Sequence, residues 1–230
     1  MKNHLKRLTS PRTWAIDRKA NTFISRPNAG AHSFENGLAL GVILRDFLHL
    51  AETSYEVKKM LKNNQILVDG RQRKDHKFIV GLFDVLQVKE LNKIYRVVLT
   101  RKGKLAVQEI TEEESTTKPC KIVGKSVITA GKIQYNLYDG KSVTSEVSAK
   151  VGDSFLLTLP DFKVKELLPL TKGASVFLTK GKHIGDFGSF KEIKGQEAVY
   201  LKNKEEVYTS KKYLFVVGKE KPSIKLNETK

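Results

Sequence analysis

Cysteine occurs once in the 230 residues, as Cys120. No disulfide can close within the chain, no thiolate zinc site can be built, and the expected compartment is reducing. Cys120 reads as a structural thiol. Long apolar runs are also missing. The longest, "GLALGVILRDFLHL", is interrupted by Arg45 and Asp46 and falls short of the roughly 20 residues that cross a bilayer. The N-terminus is basic, but no apolar run with a small-residue cleavage site follows it, so neither a membrane segment nor a secretory signal is expected. The expected setting is cytoplasmic.

The chemistry of catalysis is equally sparse. His4, His32, His49, His76 and His183 show no metal-ligand spacing. "GKS" appears at Gly124 and at Gly140, yet Pro119 and Tyr135 stand where a phosphate-cradling loop needs its upstream glycine, and no helix pattern follows. "TKGKHIGDFGSF", with Gly181, Gly185 and Gly188, has the wrong first spacing for a dinucleotide fingerprint and lies between strands. Asp139, Asp153 and Asp161 sit in turn-like settings where capping is the ordinary role. No nucleophile and base stand out. The sequence therefore leads us to expect no enzyme, no cofactor, no metal and no small-molecule substrate.

Acidic residues are too few to balance the bases. Against 42 Lys and Arg there are 25 Asp and Glu, a formal net charge of +17 and a pI near 9.8. Such a field attracts polyanions. Its carriers are unevenly placed: residues 1 to 105 hold 21 basic and 9 acidic side chains, residues 106 to 230 hold 21 and 16. Every arginine lies in the first part, and a guanidinium can fork onto a phosphate or stack on a base as a lysine cannot.

Residues 1 to 37 carry Pro11, Pro27 and several Gly and Asn with little periodicity, and read as an extended basic arm that orders against a partner or else as a solubilising tail. Apolar residues from Leu38 to Ala51 fall at helical spacing. "TSYEVKKMLKNN" begins a second helix, with Thr53 as N-cap and Glu56 completing a capping box. On it Val57, Met60 and Leu61 share one face and Lys58, Lys59 and Lys62 the opposite one. Asp69-Gly70 suits a tight hairpin turn, which places Arg71, Arg73 and Lys74 at or just past its tip. "KFIVGLFDVLQV" reads as a further strand-like stretch, and "IYRVVLTRKGKLAVQEI" as a hairpin turning at Lys102-Gly103. The acidic "TEEESTT" marks the main boundary. Beyond it come short strands with turns at Ala130-Gly131, Asp139-Gly140 and Gly152-Asp153, then a third cluster from Gly173 containing "ASVFL", "SFKEI", "QEAVYL" and "KKYLFVVG". The fold class expected is α+β, mostly β, with a basic arm (1–37), a two-helix-plus-strands module (38–110), a barrel-like central β domain (118–170), a small C-terminal β domain (171–221) and a polar tail (222–230).

"TSYEVKKMLKNNQILVDGRQRKDHKFIVGLFDVLQV" resembles the small RNA-binding alpha-L fold named after the bacterial small-subunit ribosomal protein four. The flanks, "HLKRL", "PRTW", "DRK", "RP" and "GVILRDFLHLAE" before it, "YRVVLTRKGKL" after it and "GKHIGDFGSF…KKYLFVVGKEKP" near the end, resemble the archaeal and eukaryotic type of that ribosomal protein over nearly the whole chain. The resemblance implies a C-terminal KOW motif in an SH3-like barrel, matched here at Gly185, Phe187, Gly188, Phe190 and Ile193. The chain departs from the family pattern near Tyr55, where arginine is usual, near Ala15 and Ile79, where proline is, and near His76, where tyrosine is. Tyr55 is expected to pack rather than to stack on a base.

The leading expectation is a structural constituent of the small ribosomal subunit that binds ribosomal RNA beside neighbouring small-subunit proteins. Lys58, Lys59, Lys62, Arg71, Arg73, Lys74 and Lys77 would bracket phosphates. Lys6, Arg7, Arg12, Arg18, Lys19 and Arg26 of the arm would thread between RNA helices and order only in the assembled particle, Trp14 stacking or anchoring them. Lys180, Lys182 and His183 would meet RNA or a neighbouring protein from an exposed turn, with Phe187 and Phe190 packed inside. Two alternatives stay open: an RNA-modifying enzyme with an RNA-targeting module, and a KOW-bearing transcription or translation factor.

Overall fold

A computed structural model describes residues 4–63, 65–128, 131–202 and 205–225. Ala130, half of one expected turn, lies outside the described residues, as does the end of the polar tail. The class is α+β and mostly β. Two compact units divide the chain: Met1–Leu99 with Lys104–Ser115, and Thr100–Gly103 with Thr116–Lys230.

In the first unit, residues 4 to 36 do not form a free arm. A 3-10 turn at Arg7–Thr9 is followed by backbone bonds from Arg7 N to Thr22 O and from Ile24 N to Leu5 O, each 3.0 Å. Trp14 is 1 % exposed, its ring 5.5 Å from that of Phe34, and its backbone bridges to Leu105. Apolar side chains that a tail would not need (Trp14, Ile24) are buried, and that burial offsets the entropy of ordering the segment. This corrects the expectation that the arm orders only on a partner.

The expected first helix is shorter than its spacing suggested. β1 (Gly37–Ala39) precedes an α turn, α1 (Leu40–Val42), which widens into a π-helical turn at Ile43–Phe47 and stops at His49, whose φ is +50°. β1 takes its residues because it pairs with β4 (Ile79–Gly81), Gly37 opposite Gly81. A β-carbon at Gly81 would lie 2.3 Å from the His32 ring, so the close approach requires glycine. α2 (Ser54–Lys62) starts as its sequence indicates: Glu56 N donates to Thr53 Oγ1, and the Glu56 carboxylate accepts from Thr53 N and Glu52 N.

β2 (Ile66–Val68) and β3 (Arg71–Gln72) form a two-residue hairpin with positive φ at both Asp69 (+51°) and Gly70 (+73°). The buried Asp69 carboxylate accepts from Val85 N and locks the turn to β5 (Val85–Val88). The single strand expected over "KFIVGLFDVLQV" is thus two strands, β4 and β5. The chain turns between them at Phe83 (φ +66°), held by Gly81 N donating to Asp84 Oδ2 at 2.9 Å. β6 (Lys93–Leu99) and β7 (Leu105–Glu109) complete an antiparallel sheet of order β3-β2-β5-β6-β7, and α3 (Glu112–Ser115) follows.

The second unit contains two five-stranded antiparallel sheets. The first is made by β8 (Thr117–Val127), β9 (Ile133–Leu137), β10 (Ser142–Thr144), β11 (Ser154–Thr158) and β12 (Lys163–Leu168), in the order β10-β9-β8-β11-β12. It buries Cys120, Ile122, Tyr135, Leu137, Phe155 and Leu157 together, which confirms the thiol as a core residue. The second sheet is made by β13 (Ser175–Leu178), β14 (Phe187–Lys194), β15 (Glu197–Lys202), β16 (Glu205–Ser210) and β17 (Leu214–Gly218), in the order β16-β15-β14-β13-β17. Sequence reasoning missed β16, because "EEVYTS" at a sheet edge carries little hydrophobic alternation. The polar tail begins later than expected, since Ile224 is buried and Ser223 N donates to Val217 O.

Candidate nucleic-acid interface

A dense set of solvent-facing cations lies on α2 and the β2–β3 hairpin. Val57 and Leu61 are buried, so the opposite face, with Lys58, Lys59 and Lys62, is turned to solvent and all three are exposed. The hairpin then presents Arg71 and Lys74, both exposed. Arg73 is half-buried and lies over the Phe78 ring at 4.3 Å, a cation–π contact that fixes its plane. The half-buried Lys77 donates its backbone N–H to Asp75 Oδ1. His76 is held below its ordinary pKa by burial, and the charges of Lys58 and Lys77 push the same way against Asp75. Helix and loop lysines therefore converge on one positive neighbourhood.

Of the arm residues, Lys6, Arg12, Lys19 and Arg26 are exposed or half-exposed. Arg26 reaches the rim of a cleft of about 390 Å³, where it lies 5.8 Å above the Phe34 ring and shares the lining with Lys77. The fold thus brings together two cations that are far apart in sequence. Three other candidates are spent inside. Arg7, 3 % exposed, makes an ion pair with Asp46 at 2.9 Å and donates to Asp17 O. Arg18 uses its guanidinium on the carbonyls of Leu8, Ser10 and Pro11. Trp14 anchors the segment and presents no ring to a base. Arg7 is turned inward rather than toward RNA, and of the two roles expected of Trp14, stacking or anchoring, it takes the anchoring one. Arg18 serves the arm's own fold.

The stretch "TKGKHIGDFGSF" is a turn leading into β14. Gly181 (φ +97°) and Gly185 (φ +79°) take left-handed conformations, and a β-carbon at Gly188 would lie 2.3 Å from Leu201 O. Lys180 and Lys182 are exposed, and the half-buried His183 has its Nδ1 3.6 Å from the buried Asp186. Asp186 also receives Lys202 at 2.6 Å, which pins the turn. Burial, with Asp186's charge in support, pushes the Tyr200 hydroxyl up to about 12. Phe190 is packed in the core, whereas Phe187 is only half-buried.

Sequence reasoning overlooked the aromatic partners Phe34 and Phe78. Phe78 is five residues from Arg73 and Phe34 eight from Arg26, separations that carry no periodic signal outside a regular element. It also misjudged Tyr55: the ring is 77 % exposed on α2 and packs against no core. Asp139 does more than cap a turn, being fully buried between Lys118 (3.1 Å) and Lys141 (2.6 Å). Among the described residues no group of three or more His, Cys, Asp or Glu could hold a metal ion.

A mostly β chain with this charge excess and a lysine-faced helix running into a basic hairpin has, as a class, the surface of a protein that meets polyanions. Similarity to known proteins gives the particular family. Residues 91–164 match the ribosomal family S4e and residues 1–35 the RS4NT (NUC023) domain. The small ribosomal subunit protein eS4 of Methanocella arvoryzae is 40% identical over 228 residues, 96% of this chain and 97% of that one. That of Methanocaldococcus jannaschii is 40% identical over 240 residues, 98% of each. The crystal structure of the 30S ribosomal protein S4e from Thermoplasma acidophilum superposes with a TM-score of 0.72 at 27% identity, covering 82% of this chain and 99% of that one. The chain belongs to the ribosomal S4e family.

Proposed function

We propose that this protein is a structural constituent of the small ribosomal subunit in the cytoplasm, where it binds and stabilises folded ribosomal RNA beside neighbouring small-subunit proteins. The observation that carries the proposal is the exposed basic surface of α2 and the hairpin, in a chain similar over its full length to small-subunit proteins. Lys58, Lys59 and Lys62 spaced along one helix face follow a phosphate backbone, and Arg71 and Lys74 extend the track. Arg73 and Arg26, each held over an aromatic ring, present guanidinium planes at little further entropic cost. Lys6, Arg12 and Lys19 add positive charge from the folded N-terminal segment. In this reading residues 171 to 221 form the SH3-like KOW module, and Lys180, Lys182 and His183 offer a second, smaller contact to RNA or a neighbouring protein.

Such a protein carries out no reaction; its work is neutralisation and shape. Phosphate contacts release counterions, so affinity falls with salt by a slope of roughly 0.7 to 0.9 per neutralised phosphate. The test is co-sedimentation of the native protein with small subunits after a moderate salt wash. Stoichiometric retention supports the reading, and recovery only in the supernatant overturns it.

A further inference from the structure

Tyr55 is the most exposed of the chain's large aromatic side chains, at 77 %, whereas Tyr95, Tyr135 and Tyr200 are buried in cores. It occupies the second position of α2, and its spacing from Lys58, Lys59 and Lys62 is three, four and seven residues. In an α-helix those positions form one continuous stripe. The ring therefore begins the same solvent-facing row that the three lysines continue. Among the described residues no hydrogen bond holds its hydroxyl and no ring or cation stacks on it. The capping box fixes the backbone beneath it, so the ring stands on an ordered base rather than on a fraying end.

An aromatic face open to solvent at the end of a cationic row has the two parts that hold single-stranded nucleic acid: a π surface for a base and ammonium groups for the adjoining phosphates. A duplex offers only the second match, since its bases are already stacked. We propose that Tyr55 is a stacking platform for one unpaired base of bound RNA, with Lys58, Lys59 and Lys62 carrying the phosphates that lead away from it. The inference rests on the RNA-binding reading above and adds what that reading leaves open, the recognition of an unpaired nucleotide at this helix.

The experiment compares two probes at one salt concentration, an oligoadenylate of about ten nucleotides and a blunt RNA duplex of about 16 base pairs. Tyr55→Ala is expected to weaken oligoadenylate binding by about 5- to 100-fold and duplex binding by much less, while Tyr55→Phe stays within about twofold of wild type. A Tyr55→Trp variant gives a direct reading, because the chain's one natural tryptophan, Trp14, is buried. Its emission is expected to be quenched by oligoadenylate and unchanged by the duplex. Equal losses on both probes for Tyr55→Ala, no loss on either, or no quenching overturns the stacking assignment while leaving RNA binding intact. Wild-type protein that binds neither probe overturns this inference, whereas the RNA-binding reading is overturned only by loss of retention on small subunits.

Discussion

The two parts of the chain carry the same number of basic side chains and use them differently. Residues 1 to 105 and 106 to 230 each hold 21 Lys and Arg. In the second part lysine after lysine is met by a carboxylate: Lys118 and Lys141 by Asp139, Lys191 by Glu206, Lys194 by Glu192, Lys202 by Asp186 and Lys219 by Glu166. In the first part there are fewer acids to meet them, and the cations divide between the interior and the surface. Several arginines work inside: Arg7 on Asp46 and Asp17 O, Arg18 on three carbonyls, and Arg96, wholly buried, on Glu114 O. Lys58, Lys59 and Lys62 remain outside. A planar fork of five donors can satisfy several carbonyls within a fold, whereas an ammonium is better hydrated at the surface. Net charge thus names the class of partner, but not which cations are available to it.

Four variants test this division, in order of expected effect. Asp139→Ala should be the most damaging, because it leaves Lys118 charged and buried without its carboxylate. A loss of about 3–5 kcal/mol is expected by denaturant unfolding, against little effect if the pair were a surface contact. Arg7→Ala should cost about 3 kcal/mol, since Asp46 keeps Arg45 at 2.9 Å and is itself partly exposed. Unchanged stability would return Arg7 to the binding surface.

Lys121→Met is expected to cost about 1–3 kcal/mol, because Lys121 Nζ donates to the carbonyls of Lys212 and Leu214 within the second unit. This lysine also has a pH signature. Burial, helped by the nearby charge of Lys211, lowers its pKa from 10.5 to about 8. Between those values the unfolded chain binds a proton that the folded chain does not, so this group's contribution to stability rises with pH from about 8 to about 10.5 and is flat below. Measured as wild type minus Lys121→Met, a difference that falls across the window would contradict the assignment.

The smallest effect on stability is expected from replacing Lys58, Lys59 and Lys62 together with alanine, within about 0.5 kcal/mol per site. The same variant should reduce the salt slope of RNA binding by about 2 to 3. An unchanged slope in the folded variant would move the phosphate contacts away from α2.

Much of the local structure was legible. Thr53 and Glu56, three apart before an apolar stripe, cap a helix reciprocally; Asp69-Gly70 between alternating residues turns a hairpin; and Cys120 lies in a run that alternates into a core. What escaped depended on pairing. "KFIVGLFDVLQV" looks continuous, but β4 pairs with β1 and β5 with β2 and β6, so the chain must turn at Phe83 between two partners. Of the candidate contacts, the lysines of α2 were readable because a helix of known face sorts its own residues. The arm was not, having no period to say which of Arg7, Arg12 and Arg18 faces inward.

The sequence by itself determined the charge, the strand-rich class, the capped helix with its lysine face and the turn glycines, all properties fixed within a few neighbouring residues. Tertiary structure alone decided which cations remain available. It buried Arg7 and Trp14, set Arg26 beside Lys77 and left Tyr55 in the open, because desolvation and ion pairing depend on residues that the chain brings together from far apart.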